Sequence, residues 1–422
     1  MAKDKLTEYS ATNASNDVIG DISVAEGMLP SAVNNALREQ MTHLKNFADG
    51  TDGINVLSLD DDDASASIKI QAPSAVTTTT TLTLPDGDGD AGAMLQTNGS
   101  GQLAWSTAYR NRNLILNGSF QVAQRGTSFT DADTYVLDRW RLNQSAETMA
   151  VTQQSFAAGQ TDVPRAEKYL RVVVTTTGNY SGITQRIEGV EQLSGQTVTV
   201  SFYARGGQGG QGVPTTFRTY FNQNFGSGGS TQIGGQGSTN HTLTTSWQLF
   251  TATVTLGSTS NRTIGTSSYT ELAFQQTTGE ACDFDIALVQ LEVGEQATPF
   301  EHRSYGDELA ACQRYYYQLT SQLAYRRYGM STYDTSTNYS ALIPFPVQMR
   351  TTPSLSTTGT ASDYAVYALN SVKASNAVPS LGDSTVFNAL LSGVTASSTA
   401  GAAGTLLDNN AAGTFLGFSA EL

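Results

Sequence analysis

The sequence predicts a mainly β protein: an N-terminal helix and an intertwined trimeric β connector, then two β-sandwich domains joined by a short helix. Three observations predict it. Gly is abundant at 40 residues, and only 14% of residues are charged, a composition that suits short strands and tight turns more than helices. One apolar stripe of helical period stands near the start, and nothing comparable in length follows it. The rest alternates short apolar-polar runs with Gly, Pro, Asn and Asp clusters, the pattern of antiparallel sheets. A chain of 422 residues has room for about two to four cores. We divide it into an arm and trimerising helix (1–50), a connector (51–108), a first sandwich (109–303) and a linking helix with a second sandwich (304–422).

Residues 1–27 are polar and read as an extended arm that orders against a partner. Pro30 suits a first helical turn. Val33, Leu37, Met41, Leu44 and Phe47 then recur at spacings of four and three. The helix has about five turns and is marginal alone. A stripe this narrow gains most by facing copies of itself, so these five residues are expected to set a three-helix bundle; the alternative is a single helix packed on its own chain. Gly50 and Gly53 end it. Ile68-Lys69-Ile70, Leu82-Thr83-Leu84, Met94-Leu95 and Leu103-Ala104-Trp105 follow as short strands with turns between, too short to make a core unless chains intertwine and cover each other's edges. Asp86, Asp88 and Asp90 imitate the start of an EF-hand loop, but its twelfth position is Thr97, where a bidentate Glu is needed. A solvated turn is the reading there, as for Asp60–Asp63.

In the first sandwich, Asn113 to Phe120 reads as a strand stopping at Gly118. Phe284 to Glu292 is apolar on both faces and so buried on both. The two are expected to pair, with Trp140 a core anchor and Arg139 held by a carboxylate such as Asp138 or by backbone. Further strands are read at Leu170–Thr175, Val198–Tyr203, Phe217–Phe221, Trp247–Val254 and Glu271–Phe274. Gly207, Gly209 and Gly212 match G-x-G-x-x-G, but Pro214 and a strand-like run follow where a dinucleotide site needs a helix. The Gly-rich loops 206–212 and 226–237 are read instead as long mobile connections. Tyr305 to Leu319 reads as a helix with Asp307 and Glu308 in its first turn and Leu309, Cys312 and Tyr316 on one face. The final domain is rich in Tyr and nearly uncharged, and is read as a sandwich packed against its copies at a distal tip.

The stretches NLILNGSFQVAQRGTSF and YVLDRW, then VQLEVGEQATPFEHRSYGDELAACQRYYYQL, resemble a domain that recurs in bacteriophage tail-fibre proteins. The resemblance covers about residues 113–319, and that domain's sandwich is similar to carbohydrate-binding jelly rolls. GMLPSAVNNALREQMTHLKNF and the closing FSAEL are likewise similar to segments of phage fibres. The resemblance implies jelly-roll-like sandwiches and a virion protein, and it names no ligand.

A formal net charge of −14 argues against nucleic acid, which needs a basic face, and against docking on anionic membrane by charge. The start is polar and no apolar run spans a bilayer, so synthesis and assembly in a host cytoplasm are expected, and the Asn-x-Ser/Thr sequons are compositional. Cys282 and Cys312 lack metal or framework spacing and are read as buried free thiols. His43, His241 and His302 stand near no nucleophile motif, and no HExxH or Cys/His cluster occurs; no cofactor, metal or catalytic residue is expected. Binding is the stronger reading, because aromatic faces stack on sugar rings while amides and hydroxyls bond their hydroxyl groups. Tyr333, Asn338, Tyr339, Tyr364 and Tyr367 are the candidate receptor contacts. The expected function is a homotrimeric phage tail fibre, held to a tail or adaptor protein by its N-terminus and attaching to a host surface glycan or outer-membrane receptor. The alternatives are a capsule or polysaccharide depolymerase, and a purely structural tail adaptor or head fibre.

Overall fold

A computed structural model of the chain describes residues 18–19, 22–24, 28–48, 56–60, 67–71, 82–87, 94–97, 102–106, 112–130, 134–145, 148–176, 178–277, 279–320 and 323–422. Most of the expected arm, Asp61–Asp63, and Asp88 and Asp90 of the solvated turn lie outside the described residues. The chain forms two compact units, Met1–Thr83 and Leu84–Leu422.

In the first unit, strands β1 (Val18–Ile19) and β2 (Ile22–Ser23) pair with each other and pack on helix α1 (Pro30–Ala48); β3 (Val56–Asp60) and β4 (Ser67–Gln71) form an antiparallel hairpin. The helix forms where the stripe predicts, but it turns another line inward. Ala36 and His43 are its buried residues, with His43 Nε2 3.4 Å from Glu39. Val33, Leu37, Met41, Leu44 and Phe47 are 43, 56, 68, 54 and 40% exposed.

The second unit opens with the hairpin β5 (Met94–Thr97) and β6 (Leu103–Ser106). The first sandwich then contains β7 (Ser128–Phe129), β8 (Arg141–Ser145), β9 (Met149–Ser155), β10 (Lys168–Val174), β11 (Tyr180–Glu188), β12 (Thr197–Gly206), β13 (Phe217–Asn224), β14 (Ile233–His241), β15 (Gln248–Thr255), β16 (Tyr269–Gln276) and β17 (Cys282–Val293). A six-stranded sheet, β15-β12-β17-β10-β9-β7, and a five-stranded sheet, β14-β13-β16-β11-β8, enclose one core. Trp140 anchors that core, fully buried, 5.1 Å from Phe120 and 6.1 Å from Phe274, and donates from Nε1 to Asn117 O at 3.0 Å. The strand β17 is buried along nearly its whole length, as its two apolar faces require.

Three expectations need correction. The opening stretch is a turn rather than a strand. Leu114 N donates to Leu291 O, and Gly118 O accepts from Val289 N. The other ladder positions are filled by Asn113, whose Oδ1 accepts from Leu291 N and whose Nδ2 donates to Val289 O. Side-chain amides replace backbone partners there, so Ile115 is buried while Leu114 and Leu116 are half-buried. The loop 207–212 is tied down: the Asp283 carboxylate accepts from Gln208 N at 2.5 Å and Gln211 N at 2.8 Å. Helix α2 runs only Tyr305–Gln313, with Ser304 accepting from Asp307 N at its start. Tyr316 already belongs to strand β18 (Tyr316–Thr320), because a run of three tyrosines prefers the pleated surface.

The second sandwich adds β19 (Arg327–Tyr333), β20 (Asn338–Pro344), β21 (Ser354–Thr357), β22 (Tyr364–Ala368), β23 (Ser371–Ala374), β24 (Ser380–Ser384), β25 (Asn388–Val394), β26 (Ala403–Asp408) and β27 (Phe415–Ser419). The seven-stranded sheet β23-β22-β26-β19-β20-β25-β24 and the three-stranded sheet β18-β27-β21 share a core that includes Tyr328, Ile343, Leu391 and Phe418. The chain's closing residues lock this sandwich to the first. Glu421 accepts from Arg139 Nη1, and from Arg125 Nη2 at 3.1 Å. Arg350 donates to the Ala420 and Glu421 carbonyls at 2.7 and 2.9 Å. Arg139 is therefore held by Glu421 and the Arg186 carbonyl, whereas Asp138 takes Gln124. Both cysteines are free and buried, and burial pushes the Cys282 thiol up to about 12.

His241 yields a test of this core. Its Nε2 lies 2.9 Å from Thr219 Oγ1, and its ring is 5.2 Å from those of Phe202 and Phe250. Burial lowers its pKa below the usual histidine value. A depressed pKa means the stabilising neutral form is fully present above the unfolded value and is lost as pH falls through the folded one. Unfolding free energy is therefore expected to fall as the pH drops below about 6.5, and His241→Gln is expected to flatten that slope in paired denaturant titrations. Parallel slopes in the two proteins would contradict it.

Candidate functional site

The outward face of the five-stranded sheet carries the site. In β11, Ile183 and Ile187 point into the core, so Tyr180, Gly182, Thr184 and Arg186 point out. In β13, Phe217 and Phe221 point in, which sends Arg218, Tyr220 and Asn222 out. Register aligns these positions into rows across the sheet. Asn143, Gly182, Gln275, Arg218 and Asn240 form one row. Arg141, Thr184, Ala273 and Tyr220 form the next. Arg186, Glu271 and Asn222 form a third.

The centre of this face is low because its residues are small. Gly182 pairs so tightly with β16 that a Cβ there would sit 2.0 Å from the Phe274 carbonyl oxygen, and Ala273 is its small neighbour. The flanks are taller, and the result is a trough of about 490 Å³ lined by Asn143, Tyr180, Arg218, Tyr220, Asn222 and Gln275 among others. Its side chains are held in place by one another. Arg218 donates from Nε and Nη2 to Gln275 Oε1 at 3.2 and 2.7 Å, and its guanidinium lies 5.1 Å from the Tyr220 ring centre. Asn222 Nδ2 donates to Glu271 Oε1 at 3.0 Å, while Glu271 Oε2 pairs with Arg186. Burial and the Glu271 charge raise the Tyr220 pKa, so its phenol is a neutral donor and acceptor at physiological pH. The half-buried Tyr180 offers a ring face, while Tyr220, 9% exposed with Arg218 over its ring, offers its hydroxyl; beside amide, hydroxyl and guanidinium groups they form a surface that can stack on a ring and bond several hydroxyls around it.

Two other concavities offer less. A groove of about 700 Å³ runs between the 156–167 loop and His302, but the rings of Phe156, Tyr169 and Trp247 pack on one another at 4.8–5.4 Å, which occupies their faces. A cavity of about 380 Å³ beside α2 is lined by Arg139 and Tyr315, residues already committed to the junction of the sandwiches.

The sequence-predicted receptor contacts do not come together. Tyr333, Tyr339 and Tyr364 are 1, 0 and 0% exposed, members of the second core, with hydroxyls bonded to Thr395 Oγ1, Ser375 Oγ and the Phe415 carbonyl. They are corrected to core residues. The physical reason is strand parity: each sits at an inward position, and its polar tip finds a partner without reaching the surface. Asn338 is exposed and Tyr367 half-buried, with Arg327 5.4 Å from the Tyr367 ring centre. They stand on β20 and β22, three strands apart and so about 14 Å or more from each other. Row pairing joins Tyr367 to Thr405, Met330 and Leu342, a line on which Met330 is 70% and Leu342 48% exposed. Sequence reasoning placed binding residues in the second sandwich and missed Tyr180, Arg218, Tyr220 and Asn222 in the first. Their signal was the alternation of β13, where polar and aromatic residues interleave with the buried Phe217 and Phe221.

No family model and no curated protein matches the chain. Solved structures align with it at low similarity. A CBM4 structure shares 18% identity over 43% of this chain and 99% of its own, with a TM-score of 0.29. The enzymatically active domain of tailspike protein 4 of bacteriophage CBA120 shares 14% over 43% of this chain and 22% of its own, at 0.30. The CBM22 xylan-binding domain from Paenibacillus barcinonensis shares 14% over 40% of this chain and 94% of its own, at 0.27.

Proposed function

We propose that the protein is a homotrimeric phage tail fibre that attaches the virion to a host cell by binding a surface glycan in the trough of its first sandwich. One observation carries the glycan reading: a concave sheet face whose Tyr180 and Tyr220 stand beside Arg218, Asn143, Asn222 and Gln275. Tyrosine offers a rigid ring and a hydroxyl at small entropic cost, and amides adapt their hydrogen bonds to a polyhydroxylated ligand. The fibre reading rests on the resemblance of the opening, closing and terminal stretches to phage fibres. The trimer reading rests on the exposed helical stripe, the tail or adaptor protein being the partner of the N-terminal unit, and assembly taking place in the host cytoplasm.

The test is binding of the full chain to a panel of bacterial capsular and lipopolysaccharide glycans. Retention of at least one is expected, and Tyr180→Ala is expected to weaken it about tenfold, the loss of one stacked ring, and Tyr220→Phe to weaken it through the loss of a hydrogen-bonding hydroxyl. Tyr180 is only half-buried, so its removal leaves the core intact. Failure of every glycan to bind, or full affinity in both variants, would overturn the reading.

A further inference from the structure

We infer that the glycan held in the trough is acidic, and that Arg218 reads a carboxylate on it. The inference rests on the glycan reading above and adds the class of sugar. Ten residues line the trough, and Arg218 is the one among them that carries a formal charge. It does so on a chain whose net charge is −14. Its immediate surroundings are Gln275, Tyr220 and Asn240, all uncharged at neutral pH. Several other guanidinium groups of this sandwich stand differently. Arg171 and Arg205 share Asp285, Arg186 pairs with Glu271, and Arg139 and Arg125 pair with Glu421, although Arg262, outside the trough, also bonds a neutral acceptor, the Thr231 carbonyl. Arg218 bonds a neutral amide instead, through Nε and Nη2, and no ion pair to it occurs among the described residues.

The arrangement positions the cation without neutralising it. Gln275 fixes one edge of the guanidinium and the Tyr220 ring lies under it. The Nη1 donors make no hydrogen bond to a described residue, and the half-buried side chain presents them to the trough. A planar fork with a free edge matches a carboxylate in a way that a neutral hydroxyl does not. The nearest acid on the same face, Glu271, lies two rows away and is saturated by Arg186 and Asn222, so it does not compete. A hexuronate or a nonulosonate unit would set its ring against Tyr180, its hydroxyls against Asn143 and Asn222, and its carboxylate on Arg218.

The experiment uses the full chain and calorimetric titration with oligogalacturonate, oligomannuronate, oligohyaluronate and α2,8-linked oligosialate, each beside its carboxyl-reduced counterpart. At least one acidic form is expected to bind about tenfold or more tighter than its reduced form, and that preference is expected to shrink as salt rises. Arg218→Gln is expected to close the gap, and Arg218→Lys, which keeps the charge but not the fork, to retain part of it. An acidic and a reduced series that bind equally well would overturn the inference and leave the glycan reading standing. The same gap in Arg218→Gln as in the natural chain would also overturn it. Failure of every acidic and every neutral oligosaccharide to bind at millimolar concentration would overturn both.

Discussion

Glu421→Ala is expected to lower the unfolding free energy of the second unit by about 3–5 kcal/mol, the cost of leaving a buried ion without its partner. The Arg139 side chain is 2% exposed and that of Arg125 12%. Each guanidinium is stacked on a tyrosine from the linking segment, Arg139 3.6 Å from the Tyr315 ring centre and Arg125 3.4 Å from that of Tyr316. Neither can reach water by a change of rotamer without unstacking, so truncating Glu421 strands Arg139 and leaves Arg125 with only the longer contact to Asp138 at 4.0 Å. Arg139 also sits at a φ of +70°, a backbone conformation that side chains other than Gly adopt at a cost. That the chain holds Arg139 there indicates how firmly its surroundings fix it. Glu421→Gln keeps an acceptor for one guanidinium and loses the charge, so it is expected to fall between the natural chain and Glu421→Ala. The measurement is the midpoint and slope of urea unfolding for the three proteins. Loss of less than about 1 kcal/mol in Glu421→Ala, the range of an exposed pair, would refute the buried-lock account.

That lock shows how unevenly the fold was legible. Trp140 and β17 could be read because their signals are local: one large ring, and a run in which Phe284, Ile286 and Leu288 share one face and Ala287, Val289 and Leu291 the other. The partner of Arg139 lies 282 residues further on, and no spacing rule reaches that far. Asp138 looked like the partner because it is adjacent, but the two are the central residues of a turn closed by Trp140 N to Leu137 O, with Arg139 at positive φ, and the turn sends their side chains to different partners. Helix α2 was overextended for a related reason. The Leu309, Cys312 and Tyr316 spacing is helical, yet Tyr315, Tyr316 and Tyr317 together favour a strand, and β27 offers that strand an edge to pair with. The first part of strand β14, Ile233–His241, falls within the 226–237 stretch read as a mobile loop, because five of the strand's nine residues are Gly, Asn or Ser and only one is a large hydrophobe. Its place beside β13 comes from pairing, not propensity.

The trough was hidden by the same geometry. Asn143, Gln275, Arg218 and Asn240 are unremarkable polar residues in four separate strands, and they become one row only when β8, β11, β16, β13 and β14 are set in register. The aromatic residues that drew attention, Tyr333, Tyr339 and Tyr364, belong to strands whose inward parity was not visible until β19, β20 and β22 were paired. A tyrosine count identifies a chemistry that suits sugars, but strand parity decides which tyrosines face outward.

The second large effect is expected in the first unit. Leu37→Asp combined with Met41→Asp is expected to convert the proposed trimer to monomers and to weaken attachment to whole cells by about 10²–10⁴-fold, the range by which tethered sites raise avidity. The helix buries Ala36 and His43, a small residue and a polar one, and leaves its five largest apolar residues 40–68% exposed. An isolated helix of this length is marginal in water, and its own strand pair covers the less apolar side. Covering the Val33–Phe47 stripe with copies of itself removes that surface from water at about 25 cal/mol per Å². Two aspartates at the centre of the stripe would have to be desolvated beside the same residues of the other copies, and like charges at a helix seam oppose assembly. Monovalent affinity for a short oligosaccharide is expected to stay the same, because the trough belongs to the second unit. Sedimentation velocity reads the assembly state, titration reads the single site, and cell adsorption reads their product. A doubly substituted chain that sediments as the natural one does, or that adsorbs as well while monomeric, would contradict the proposal that three copies act together.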